Sequence, residues 1–375
     1  MARLIATDAI CHDSSPFHDR TTGLATHTRC IALPKRKEKT MSRLISKSLC
    51  AVAFGCLASA ANAQETPTLT IYTYDAFAAD WGPAPALEEG FEAQCNCDVA
   101  FVATDSSIGA LRRAQLEGAE TDADIILGLD TATIGEGKAT GLFTEHGVDL
   151  PDLDIPLDWS DEVFVPFDYG YFAFVYDSET VENPPASFEE LAGMPEDFKI
   201  VIQDPRASTP GLGLVLWIKA AYGDDANEAW AELAPHVLTV TNSWSESYDL
   251  FLAGEADMVL SYTTSPAYHL IAEDEDRYAA AKFEEGHYTQ IEVAGILETS
   301  PNKDLARDFL AYLVSPEAQA VIPTTNWMYP VTEPEGGLEP GFEQMIAPDP
   351  ALLLDSETVT ENTRAWIEEA FAALQ

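Results

Sequence analysis

Two runs of hydroxyl residues carry the clearest chemistry in this sequence. The first, Ala207-Ser208-Thr209-Pro210-Gly211, follows the apolar run Ile200-Val201-Ile202. The second, Ser261-Tyr262-Thr263-Thr264-Ser265-Pro266, follows Met258-Val259-Leu260. Each reads as a strand, a hydroxyl run and then a proline at a helix start, where its missing N–H costs nothing. The first N–H groups of a helix are unpaired and carry a partial positive charge, so such an opening suits an anion such as phosphate. The same residues also serve as ordinary N-caps. Two such openings, with aromatic neighbours, favour ligand contact. Neither matches a nucleotide phosphate loop, and no glycine-rich dinucleotide fingerprint follows the first strand.

Aromatic residues form a third group. Tyr74 and Tyr262 end strands, Tyr268 follows a Ser-Pro turn, Trp244 precedes a helix, and Trp327 sits in Thr325-Asn326-Trp327-Met328. Rings at strand ends can stack on a planar ligand or hold a cation over a π face. Trp244 and Trp327 lie among turn and polar residues, whereas Tyr72 and Phe172 read as core. Asp75, Asp105 and Asp168 leave a polyamine ligand open. His269 and His287, beside the tyrosines, leave a ferric ligand open.

The elements that would position these groups alternate. Strands are expected at 69–74, 98–103, 123–129, 172–176, 199–202, 237–240, 257–262 and 291–296, with helices at 83–93, 108–117, 212–222, 245–253, 303–314 and 361–374. Asp130 is expected to cap the helix after the third strand, and Ser187 with Glu190 has capping-box spacing. Segment 331–358 reads as a surface loop region. This alternation argues for an α/β chain with a parallel sheet, in which ligands bind beyond the carboxyl ends of strands.

The ends of the chain imply export. Residues 41–63 have a basic start (Arg43, Lys47), an apolar stretch and the small-x-small box Ala61-Asn62-Ala63, the order of a secretory signal peptide. Residues 1–40 then read as an extension upstream of the true start at Met41. Gly55-Cys56 offers a lipid-attachment alternative, which Phe54 fits poorly. The net charge is −43. Such a surface repels nucleic acid and anionic membrane and suits a saline medium. Beyond residue 63 the cysteines are Cys95 and Cys97, able to close a short-loop disulfide in an oxidising compartment.

Segments 72–83, 95–97, 165–177, 203–213, 261–269, 285–288 and 326–330 closely resemble the thiamine-binding components of ABC importers, in order and over nearly all of 68–330. The resemblance implies a two-lobed, type II periplasmic-binding-protein-like α/β fold with a central cleft and two crossover segments. It divides the chain into lobe 1 (64–168 and 289–375) and lobe 2 (169–288). It implies a periplasmic, monomeric protein that binds thiamine and its mono- and diphosphate, needs no cofactor or metal, and serves an inner-membrane permease. Ser208, Thr209, Thr263, Thr264 and Ser265 would meet the phosphate or hydroxyethyl end. Tyr74, Trp244, Tyr262, Tyr268 and Trp327 would hold the rings. The family's Asp-Gly contact pair after the second strand is replaced by Asp105-Ser106-Ser107, which moves the acidic residue by one position. A rival on a similar fold is an enzyme of the thiaminase kind. Its cysteine nucleophile would have to be Cys95 or Cys97, at the entrance of a strand and not at its carboxyl end.

Overall fold

The computed structural model describes residues 66–375. The expected extension 1–40 and signal segment 41–63 lie outside the described residues. The first half of the chain forms β1 (Thr68–Tyr74), α1 (Asp75–Ala78), α2 (Ala84–Glu92), β2 (Asp98–Thr104), α3 (Ser107–Glu117), β3 (Ile125–Asp130) and α4 (Ile134–Ala139). A long strand, β4 (Phe164–Asp177), leads into α5 (Phe188–Ala192), β5 (Ile200–Gln203), α6 (Thr209–Tyr222), α7 (Ala226–Leu233) and β6 (Val237–Thr241). Then come α8 (Trp244–Leu252), β7 (Met258–Tyr262), α9 (Ser265–Ala272), β8 (Tyr278–Ala280) and the returning strand β9 (His287–Ile296). The chain ends with α10 (Lys303–Leu313), α11 (Pro316–Gln319), α12 (Ile322–Thr325), the short strands β10 (Tyr329–Pro330) and β11 (Ala351–Leu352), and α13 (Ser356–Ala373).

The principal strand order is β2-β1-β3-β9-β4-β7-β5-β6. The outer strands of each half pair in parallel, as the strand–helix alternation predicts. The middle differs: β9 runs antiparallel to both β3 and β4, and β4 antiparallel to β7. The sheet is mixed because two strands are crossovers that leave one half and enter the other. The first part of β4 pairs with β9, from Phe164 opposite Gly295 to Tyr171 opposite Thr289. From Phe172 onward it also pairs with β7.

Both faces of each half are covered. In the first half, Leu69 and Ile71 pack with α2 and α10 residues, while Tyr72 on the opposite face packs with Ala110 and Leu111 of α3. In the second, β4, β5 and β7 side chains meet the apolar helix α6, whose residues 210–218 are all buried. Two glycines set how close α6 lies. A Cβ on Gly213 would stand 2.0 Å from the buried Phe172 ring, and one on Gly211 would stand 2.4 Å from the Gln203 carbonyl oxygen. The Pro-Gly-Leu-Gly sequence therefore lets the start of α6 press against the carboxyl end of β5.

Four sequence expectations are corrected. Asp130 does not cap α4. Thr133 is the N-cap, and Asp130 accepts bonds from its N–H (3.0 Å) and hydroxyl (2.7 Å) one turn earlier. Helix α6 begins at Thr209, so Pro210 takes the second helical position. Segment 331–358 contains a short 3-10 turn and β11 as well as loop. The terminal helix α13 was expected with the first lobe, but Val359 and Ala370 are buried in the core of the second half, where α13 packs on α6 and α7. Its apolar stripe completes the cover of α6. Cys95 and Cys97 are joined in a disulfide, with Cys97 in the core of the first half. Among the described residues, no helix is long and apolar enough to cross a membrane.

Candidate functional site

The carboxyl ends of the parallel strands from both halves face one cleft of about 590 Å³. From the first half come Tyr74 at the end of β1, Asp105, Ser106 and Ser107 after β2, and Trp327 after α12. From the second come Ser208 and Thr209 after β5, Trp244 after β6, and Tyr262, Ser265 and Tyr268 around the start of α9. Besides the short α1, four helices, α3, α6, α8 and α9, thus begin at this gap.

Their hydroxyls divide by role. Ser106 and Ser243 accept from the N–H of Gly109 and Glu246, both at 3.2 Å, and are ordinary caps. Ser265 bonds the Ser261 hydroxyl at 2.7 Å and accepts from the Tyr262 N–H at 3.2 Å. Ser208 stands at the N-cap of α6 and lines the cleft but makes no capping bond. Thr263 and Thr264 do not line the cleft, contrary to expectation: both are 0% exposed. The Thr263 N–H donates to the Tyr171 carbonyl at 2.8 Å, so the chain continues beside β4 before α9 begins and turns both threonines inward.

The aromatic walls are braced. The Trp244 ring stacks on Tyr248 with centroids 4.9 Å apart, and its indole N–H donates to Ser261 Oγ at 2.8 Å. Tyr262 lies on Phe172, centroids 5.2 Å apart. Tyr268 and Trp327 meet edge to face at 5.3 Å, a contact between the two halves. Trp327 has φ +58°, a left-handed backbone that bulky residues rarely adopt. The strained turn sets an indole at the cleft wall.

Three carboxyl groups lie buried on adjacent strands, and of these Glu292 reaches the cleft floor. Glu292, on β9, lines the cleft; its Oε2 shares a hydrogen bond with the Tyr74 hydroxyl (3.0 Å), and its Oε1 accepts from the Gln290 amide (2.7 Å). Asp168, on β4, accepts from the Asn326 amide at 2.6 Å. Asn326 in turn accepts from the Tyr74 hydroxyl at 3.1 Å. Burial raises the Glu292 carboxyl well above the usual carboxylate range, and the neighbouring Asp168 raises it further. Burial likewise raises Asp168, against the Asn326 bond. Asp130 is pushed up to about 6 by burial, moderated by its bonds from Thr133.

Residues 66–320 match the family model described as bacterial extracellular solute-binding protein. The chain belongs to this family. It is 50% identical over 303 residues to the thiamine-binding periplasmic protein of Escherichia coli (strain K12), covering 81% of this chain and 92% of that one. It is 48% identical over 320 residues to the thiamine-binding periplasmic protein of Brucella suis biovar 1, covering 85% and 96%. A solved periplasmic thiamin binding protein superposes with TM-score 0.81 at 49% identity, covering 83% of this chain and 98% of that one. These relatives are binding proteins, and the two-lobed, centrally cleft α/β fold is that of the solute-binding family.

Several residues of the solute-binding cleft escape sequence reasoning. Trp81, 57% exposed, lines it from the loop after α1. Tyr248 backs Trp244 from one helical turn further on, a spacing that could have found it. Glu292 had a signal too: it is the lone charge in the apolar strand Ile291-Glu292-Val293-Ala294. Of the acids weighed for a polyamine, Asp75 and Asp105 line the cleft, while Asp168 sits behind Asn326. The histidines weighed for a metal are tied up inside the second half. His269 bonds Tyr248 and Glu273, and His287 bonds the Phe172 carbonyl.

Proposed function

We propose that this protein captures thiamine, and its mono- and diphosphate, in the cleft outside the cytoplasm and delivers it to the membrane subunits of an ABC importer, without a catalytic step. The observation that carries this reading is the cleft's two-ended chemistry. Aromatic faces and a carboxyl floor suit a flat ring bearing a positive charge. The start of α6, with the uncapped Ser208 hydroxyl beside unpaired backbone N–H groups, suits a phosphate. Relatives of about half identity that are named for thiamine binding support the same ligand. Binding would come from ring stacking and charge-assisted hydrogen bonds, and hinging about β4 and β9 would close the halves over the ligand.

The enzyme alternative gains no support from the geometry. The bonded Cys95 and Cys97 lie before β2, at the end of the strand remote from the cleft. Calorimetry of the protein begun at Gln64, with thiamine, its monophosphate and its diphosphate, tests the proposal, with spermidine and ferric citrate as controls. Saturable one-to-one binding of a vitamer, with neither control binding as tightly, is the expected result. Tighter binding of spermidine or ferric ion would overturn it.

A further inference from the structure

Asp130, Glu292 and Asp168 stand abreast on three adjacent strands. β3 sets Asp130 opposite Glu292, and β4 sets Asp168 opposite Glu292 from the other side. Directly opposed residues of antiparallel strands share a face, with Cβ atoms about 4.5–5.5 Å apart. Like charges at that spacing in apolar surroundings cannot all be carried, so protons must be retained.

The groups bonded to or facing the row are neutral, beginning with Thr133, which bonds Asp130. β1 contributes Tyr74, β7 contributes Tyr262, β9 contributes Gln290, and the turn after α12 contributes Asn326. Among the described residues, no Lys, Arg or His lines the cleft. Asp168 Oδ1 and Gln290 Oε1 are buried with no hydrogen-bond partner in the protein. The row therefore holds acids with no cation to balance them, and its middle member, Glu292, opens onto a cleft walled by π faces.

We propose that Glu292 is the counter-charge for the ring cation of the ligand, and that it is a neutral carboxylic acid until the ligand enters, so that each capture releases one proton. The inference rests on the thiamine reading of the cleft. The Glu292 O–H bond breaks, its electron pair stays on the carboxylate, and the proton passes to water or buffer. The ligand's positive charge then stands where the proton's charge stood, and the net charge of the floor does not change. Burial and the adjacent Asp168, which hold the Glu292 proton in the empty cleft, agree with this. An uncharged analogue brings no charge to exchange and gains nothing from Glu292.

The test is calorimetry near pH 7 with thiamine itself, which has no phosphate to titrate, in buffers of differing ionisation enthalpy. About one proton released per thiamine is expected in the wild type. Glu292→Gln should abolish the release and weaken thiamine at least about tenfold. The same variant should leave an analogue with a neutral five-membered ring in place of the thiazolium within about threefold of its wild-type affinity. Asp168→Asn, which removes the adjacent acid without touching Glu292, should shift proton release to lower pH. Thiamine binding without proton release between pH 6 and 8 overturns this inference alone, as does a Glu292→Gln protein that still releases the proton or an unshifted Asp168→Asn profile. Absence of thiamine binding by the wild type overturns the functional reading and this one with it.

Discussion

Trp244 has the best-braced ring in the cleft, fixed by Tyr248 on one face and by Ser261 at its indole nitrogen. A preorganised aromatic face loses little entropy when a ligand stacks on it. Trp244→Ala should weaken thiamine at least tenfold, about 1.4 kcal/mol, by calorimetry; unchanged affinity would remove the ring from the proposed contact. On the proposed reading, Ser208 should separate the vitamers. Its uncapped hydroxyl can donate to a phosphate oxygen, and hydrogen bonds to charged groups contribute about 1.5–3 kcal/mol. Ser208→Ala should therefore cost the monophosphate about tenfold and thiamine itself almost nothing. Equal losses for both would place the phosphate elsewhere. Most of this wall was legible in the sequence, because a hydroxyl or aromatic residue just past an apolar strand has few places to go in an α/β chain. Thr263 and Thr264 were not, since where the strand stops and the helix starts decides which residue of a hydroxyl run turns outward.

Helix α6 illustrates what an element can reveal before its structure is known. Its apolar sequence is that of a buried helix, and Pro210 marks its start to within a residue. What the sequence could not state is how near it lies to the sheet. The Gly213 approach to Phe172 answers that, and it yields a test. Gly213→Ala should destabilise the protein by about 1–3 kcal/mol, as overpacked cores do, measured by urea unfolding, because the fully buried Phe172 has no room to swing aside. A variant of wild-type stability would mean that α6 shifts freely. The placement of α13 was also beyond sequence reasoning. An amphipathic terminal helix carries a stripe but no address, and only the exposed back of α6 and α7 in the folded chain supplies one.

For the molecule as a whole, the acid row makes stability depend on pH. Unfolded carboxyls titrate near pH 4. Glu292 and Asp168 are raised in the folded state, so above that pH the folded protein holds protons that the unfolded chain has released. Stability without ligand must therefore fall as pH rises toward the folded values. His269 and His287, lowered by burial, act in the opposite direction, but only below their ordinary value near 6.5. The expected outcome is a loss of stability between about pH 6.5 and 8, at up to about 1.4 kcal/mol per pH unit for each group. Urea titrations at several pH values would detect it. The slope should flatten in a Glu292→Gln/Asp168→Asn double variant; an equal slope would assign it to other groups. The row itself was hidden because its members lie at 130, 168 and 292, and only the pairing of three strands makes them neighbours.

The crossing strands β4 and β9 are laced to each other from Phe164 and Gly295 to Tyr171 and Thr289. That ladder is flanked by β3 along Glu292 to Ile296 and by β10 at Asp168 and Tyr169, and a one-residue slip in it would turn every side chain to the other face. Closure of the proposed kind would consequently bend these strands and leave their register intact. On the proposed reading, a longer phosphate tail would find its room along the gap, and a membrane partner would meet the same outline whichever vitamer is bound.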